Sequence, residues 1–111
     1  MTDLGKIEFV ACRAGDQPLD SRQCEALMQE LPGWEISGSE GIDRLRRVFV
    51  FGNFSDALAF SNRVGDLAER YDHHPQLITE WGRVTVTWWT HEIQGLHLND
   101  FIMAAQTEQL V

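Results

Sequence analysis

The stretch Arg83-Val84-Thr85-Val86-Thr87-Trp88-Trp89 alternates in character from residue to residue, and it follows another extended run, Gln76–Glu80, after only Trp81-Gly82. Period-two alternation sends successive side chains to opposite faces of a strand, and two strands joined by a two-residue turn can only pair antiparallel. This hairpin constrains the fold more than any other feature, because one of its faces must be covered. A second pair of extended segments stands upstream. Trp34-Glu35-Ile36 and residues 42–51, rich in β-branched and aromatic types, flank the turn-forming Ser37-Gly38-Ser39-Glu40-Gly41.

Helical periodicity precedes each hairpin and follows the second. Asp20 or Ser21 can cap a helix in which Cys24, Leu27, Met28 and Leu31 recur at intervals of three and four, until Pro32-Gly33 stops it. Asn53 or Ser55 can cap a longer helix, with Ala57, Phe60, Val64, Leu67 and Tyr71 on one face and an end near Arg70. A last helix begins near Asn99-Asp100 and continues through Phe101-Ile102-Met103-Ala104-Ala105-Gln106. The order α-β-β-α-β-β-α predicts an α+β single domain, a four-stranded antiparallel sheet with three helices on one face. It occupies residues 19–111, behind an irregular N-terminal arm of residues 1–18, and 111 residues suit one core. Four tryptophans and six phenylalanines are more than one helix-covered sheet face can bury, which predicts a homo-oligomer.

Charge narrows the partners. Seventeen acidic against nine basic residues give a net charge of −8, which repels phosphate backbones and anionic membrane surfaces, so direct nucleic-acid and membrane partners are not expected. The one basic cluster, Arg44-Leu45-Arg46-Arg47, falls in a predicted strand and is expected to line a wet sheet edge. Cys12 and Cys24 match no metal-binding spacing, and Met1-Thr2-Asp3-Leu4-Gly5 lacks the pattern of a signal peptide, which points to reduced thiols and a cytoplasmic location. No apolar run approaches the ~20 residues that cross a bilayer.

The chemistry concentrates in Tyr71-Asp72-His73-His74-Pro75 and Thr90-His91-Glu92. With Trp81-Gly82 as the turn, counting back along both strands brings Asp72 and His73 opposite Thr90 and His91, to within a residue of register. Pro75 forces the residue before it out of the α region, so the chain is extended there and His73 and His74 point to different sides. Glu69, four residues before His73, lies on the same helix face if the helix lasts that far, and could fix the imidazole's tautomer. Two imidazoles facing one cavity can serve as proton donor and acceptor near neutral pH without a cofactor. Alternatively, these are surface histidines met by chance, or His73, His74 and His91 supply a zinc set with Glu69 or Asp72; the divergence of adjacent histidines and the lack of a nearby cysteine speak against the metal. His97 reads as a helix cap or an exposed residue, and Trp81, Trp88 and Trp89 as core or interface aromatics before stacking platforms for a flat heterocycle.

Glu69, His73-His74-Pro75, Trp81, Thr90-His91-Glu92, Gly95-Leu96 and Asp100 together resemble the signature of the pterin-4a-carbinolamine dehydratase family, and the likeness extends from Leu31-Pro32-Gly33-Trp34 through the last helix. The resemblance implies loss of water from a 4a-hydroxytetrahydropterin to give quinonoid dihydropterin, with no cofactor and no metal. It also implies recycling of the pterin used by an aromatic amino acid hydroxylase, and assembly as a homodimer or homotetramer. It places catalysis on His73, His74 and His91, with His73 and His91 as the acid and base pair in undecided order, and substrate contacts on Glu69, Asp72, Trp81, Thr90 and Glu92. The resemblance also carries a second role, since animal members of the family also bind a homeodomain transcription factor and some relatives with eroded motifs assist carboxysome enzyme assembly, so a non-catalytic assembly or transcription-partner module is the alternative. Ile93 and Asn99 stand where some relatives carry cysteine and arginine, and Asp72 where some carry a neutral residue.

Overall fold

The computed structural model describes residues 17–111, so the expected N-terminal arm lies outside the described residues but for its last two positions. Among the described residues there are four strands in one antiparallel sheet and three α-helices, in the predicted order. Strand β1 (Glu35–Ser37) pairs with β2 (Arg44–Val50), which pairs in turn with β4 (Arg83–Trp88), and β4 with β3 (Gln76–Glu80), so the sheet runs β1-β2-β4-β3. In the second hairpin Gln76 faces Thr87 and Glu80 faces Arg83, the register that a Trp81-Gly82 turn dictates. Gly82 has φ +75, a left-handed conformation open to glycine at little cost, and its carbonyl accepts the Phe51 amide at 2.8 Å, tying the hairpin tip to the end of β2.

The first helix, α1 (Ser21–Met28), starts with a reciprocal cap in which Asp20 accepts the Gln23 amide at 2.8 Å and the Gln23 side chain accepts the Asp20 amide at 3.0 Å. Asn53 caps α2 (Phe54–Tyr71) by accepting the Asp56 amide at 2.7 Å. The last helix, α3 (Leu98–Glu108), begins slightly before its expected start. His97 takes the capping position, its Nδ1 accepting the Asn99 amide at 3.1 Å, while the Asp100 carboxylate accepts the His97 amide at 2.9 Å.

Alternation decides which side chains the helices cover. Leu45 and Phe49 from β2 and Val84, Val86 and Trp88 from β4 face a core filled by Ala57, Phe60, Val64 and Leu67 of α2, Phe101, Ile102 and Ala104 of α3, and Cys24 of α1. Helix α2 lies over β3 and β4, and α3 over β2 and β4. The Trp88 indole N–H donates to the Thr107 hydroxyl at 3.1 Å, so the largest buried side chain has its one polar group satisfied. The uncovered face carries Arg44, Arg46, Gln76, Ile78, Thr85 and Thr87.

The arginine cluster does not line a sheet edge. Its strand, β2, is central, and period-two alternation divides the cluster between the faces. Arg46 pairs with Glu35 at 2.7 Å on the open side, whereas Arg47 turns to the helix side, where it lies over the Phe49 ring and bonds Glu108 of α3. Apolar side chains do remain outside: Val50, Phe54, Leu58, Ile78 and Trp81 are exposed. Among the described residues, no helix is long and apolar enough to cross a membrane.

Candidate active site

The site begins where α2 stops. Asp72 closes the helix in the left-handed region (φ 50, ψ 42), and its amide bonds back to the carbonyls of Ala68 and Glu69. The His73 amide also reaches the Ala68 carbonyl, at 3.1 Å. Such an ending is one that aspartate tolerates better than most side chains and that satisfies the last carbonyls of the helix. Pro75 then keeps the chain extended into β3, and the two adjacent histidines separate.

His73 turns toward the core. It is 7% exposed, its ring stacks on Trp88 at 5.8 Å with 14° between planes, and its Nε2 lies 2.6 Å from Oδ1 of Asp100. The other oxygen of Asp100 accepts the Thr90 hydroxyl at 2.7 Å as well as the His97 amide. A carboxylate with no solvent exposure is thus held by donors from three segments, which offsets the cost of burying its charge. An ionised carboxylate can only accept, so the bond to Asp100 places a ring proton of His73 on Nε2.

His74 points the other way and is half exposed. Its Nε2 stands 3.7 Å from Glu69 and its Nδ1 4.0 Å from Asp72. Glu69 therefore addresses His74, whereas the partner expected of it, His73, is served by Asp100. His91 opens a short 3-10 turn, His91–Ile93, held by the bridge between Thr90 and Gly95. Its ring stacks on Trp89 at 4.6 Å and 22°, and the guanidinium of Arg44 lies 4.6 Å above the same indole.

Asp72, His73, His74, His91 and Glu92 line one hollow of about 140 Å³. Regular pairing of the hairpin ends at Gln76 and Thr87, short of this point, so the histidines flank an opened end of the sheet instead of meeting in the ladder. Thr90 lies beneath, fully buried against Asp100. Trp81 is not brought to the hollow: it stands at the far tip of the hairpin, 71% exposed. Among the described residues, no three His, Cys, Asp or Glu side chains are placed to hold a metal ion. Asp100 and Trp88 are the residues whose part the sequence did not disclose. An aspartate near a helix start reads as a cap, which Asp100 also is, and nothing in its spacing shows that the same carboxylate reaches His73.

The sequence matches the family described as pterin 4 alpha carbinolamine dehydratase over residues 17–110. It is 51% identical over 110 residues to a protein of Chlorobium luteolum provisionally named pterin-4-alpha-carbinolamine dehydratase, covering 99% of this chain and 96% of that one. It is 56% identical over 107 residues to a Chlorobium limicola protein of the same provisional name, covering 96% and 95%. Among solved structures, the crystal structure of a transcriptional coactivator/pterin dehydratase from Brucella melitensis superposes with a TM-score of 0.77 at 30% identity, over 85% of this chain and 98% of that one. On this match, nearly end to end in sequence and shared in fold, the chain belongs to the pterin-4-alpha-carbinolamine dehydratase family.

Proposed function

We propose that the protein, as a hydro-lyase of this family, converts a 4a-hydroxytetrahydropterin to quinonoid dihydropterin and water by histidine acid/base catalysis. The observation that carries this reading is the meeting of His73, His74 and His91 around one hollow, with the first of them backed by a buried carboxylate. The reaction breaks the C4a–O bond, delivers a proton to the departing oxygen, removes the proton from N5 and leaves a C4a=N5 double bond. It needs one proton donor and one acceptor on neighbouring atoms of the substrate.

In this reading His73 is the acceptor. Its Nδ1 takes the N5 proton, and Asp100, bonded to the opposite nitrogen, stabilises the imidazolium that results. His91, on the other wall of the hollow, protonates the leaving oxygen. His74 positions the pterin, with Glu69 holding its ring, while Asp72 and Glu92 supply acceptors for the N–H groups of the pterin edge. Thr90 contributes through Asp100. Trp81 has no part within a single chain and would contact substrate only across an oligomer contact.

Three finer statements complete the proposal: a homodimer or homotetramer that covers the exposed Phe54 and Leu58 of α2, a cytoplasmic location in keeping with the free thiol of Cys24, and a link to an aromatic amino acid hydroxylase as the source of substrate. The test follows disappearance of chemically prepared 4a-hydroxytetrahydropterin. His73→Ala and His91→Ala are expected to lower the enzymatic rate about a hundredfold or more. Equal rates for all three proteins would reject catalysis by these residues, and a rate recovered only on adding zinc would favour a metal site. A protein-partner role on the same fold is the second reading, motivated by the coactivator in the name of the Brucella melitensis protein. A proteolytically intact chain that turns over no pterin would leave that role in possession.

A further inference from the structure

The three histidines around the hollow are not supported alike. Nε2 of His73 bonds the buried Asp100 carboxylate, and His74 faces Glu69 and Asp72. His91 is exposed, and among the described residues neither nitrogen of its ring meets a hydrogen-bond partner or a carboxylate. Its backbone is set by the 3-10 turn His91–Ile93, which Gln94 closes in the left-handed region and the Thr90–Gly95 bridge ties together. A fixed backbone directs the Cα–Cβ bond but leaves both side-chain torsions open, so an exposed imidazole can turn among its rotamers. What meets the ring is the indole of Trp89, with 4.6 Å between centroids and 22° between planes.

Trp89 is itself held. It stands one residue past the end of β4, partly buried against the core. Its indole walls a larger hollow of about 290 Å³ on the sheet face that no helix covers, and Arg44, from the neighbouring strand β2, lays its guanidinium 4.6 Å from the ring centroid. Trp88, the residue before, turns to the helix side and stacks on His73. Two consecutive tryptophans thus carry the two imidazoles assigned to proton transfer, one on each face of the sheet. The supports are unequal, because His73 has a carboxylate as well, whereas His91 has the indole alone among the described residues.

Resting on the dehydratase reading, in which His91 is the proton donor, we propose that Trp89 is a positioning residue for that step: its indole is the platform that keeps the His91 ring turned into the hollow, and Arg44 braces the platform from β2. Proton transfer needs the donor within about 2.6–3.2 Å of the leaving oxygen. An imidazole that holds this orientation for only part of the time lowers kcat by the same fraction. Aromatic pairs of this geometry bias an equilibrium about twofold to tenfold, which is the factor the platform should bring to turnover. An indole face also attracts cations, so the same stack suits the imidazolium that a donor must be.

The test is a double-mutant cycle. Turnover of chemically prepared 4a-hydroxytetrahydropterin is compared in the wild type, in Trp89→Ala, in His91→Ala and in the protein carrying both substitutions. Trp89→Ala is expected to lower kcat about threefold to tenfold, with KM raised no more than about threefold because His91 also walls the site. In the His91→Ala background the same substitution should lower kcat no further, the mark of a residue that acts through another. Trp89→Phe, which keeps a ring at the position, should recover most of kcat, while Arg44→Ala should lower it about twofold and have no effect in Trp89→Ala. Carbon-13 labelling of the imidazoles adds a readout independent of turnover: ring-current shielding should place the His91 ring protons upfield of those of His74, and Trp89→Ala should move them downfield. A kcat unaffected by Trp89→Ala, an equal fractional loss in both backgrounds, or His91 resonances that stay in place would each overturn the proposal. A wild type that turns over no pterin would sink the dehydratase reading instead, and the resonances would then still decide whether Trp89 holds the ring.

Discussion

The two faces of the sheet solve different problems with the same strands. On the helix side, Val84, Val86 and Trp88 of β4 are fully buried among α2 and α3, and the polar groups that enter are matched by specific partners, Trp88 by Thr107 and His73 by Asp100. On the other side, Thr85, Thr87 and Trp89 of the same segment look onto hollows, and their nearest company is arginine, glutamine and histidine. The candidate site lies where the faces meet. It takes a buried imidazole, His73, from the packed side and exposed ones, His74 and His91, from the open side. A buried, hydrogen-bonded imidazole and solvent-accessible ones are thereby supplied from opposite surfaces of one hairpin.

The contrast is sharpest in stability. Trp88→Ala should cost about 3–5 kcal/mol in urea unfolding, because it opens a cavity under α3 and strips the stacking partner from His73. Trp89→Ala, one residue on but facing outward, should cost only about 1 kcal/mol while weakening pterin binding. Similar costs for the two would mean that the open face is as tightly packed as the covered one.

Asp100→Asn probes the packed half of the site. The amide can donate where the carboxylate only accepted, so His73 loses its preferred tautomer; about a hundredfold loss of kcat is expected, with about 1–3 kcal/mol of destabilisation. His74→Ala, on the open half, should alter stability by no more than about 0.5 kcal/mol and act on KM. Loss of folding in His74→Ala, with Asp100→Asn indifferent, would invert the assignment.

Asp72 stands at the junction of the two halves. Asp72→Gly should leave stability unchanged or raise it slightly, since glycine accepts the left-handed backbone freely, whereas Asp72→Val should cost about 1–2 kcal/mol by unfolding of the α2 terminus. Cys24, deep on the covered side, gives the smallest effect. Burial first, then Asp43 and Asp20, push its thiol above the ordinary value of 9.0. The folded state therefore holds the thiol proton more tightly than the unfolded chain, and this contribution to stability, complete below about pH 9, is lost as the pH rises beyond it. In a Cys12→Ser background, alkylation of Cys24 by iodoacetamide at pH 8 should be much slower in the native protein than in urea.

What the sequence disclosed follows from period and turn chemistry. The alternation of residues 83–89 and the Trp81-Gly82 turn were enough to set strand pairing and register, and Pro75 enough to part the two histidines. What it concealed depends on the third dimension. The arginines of β2 read as an edge because pairing order is not written in a strand's own residues, and only the sheet order makes that strand central. Asp100 took the part expected of Glu69 for a similar reason. Helical spacing put Glu69 near a histidine, but the left-handed turn at Asp72 swung His73 inward and left His74 on the glutamate's side.

The carboxylate of Asp100 draws its three partners from the end of one helix, from the loop after the last strand and from the start of the final helix. A chain emerging from the ribosome can build its sheet and its long helix and still lack the proposed base in its final setting, because the carboxylate that bonds His73 arrives 27 positions later. Regain of turnover after dilution from denaturant should accordingly lag behind regain of β-sheet signal, making activity a clock for the docking of the C-terminal helix.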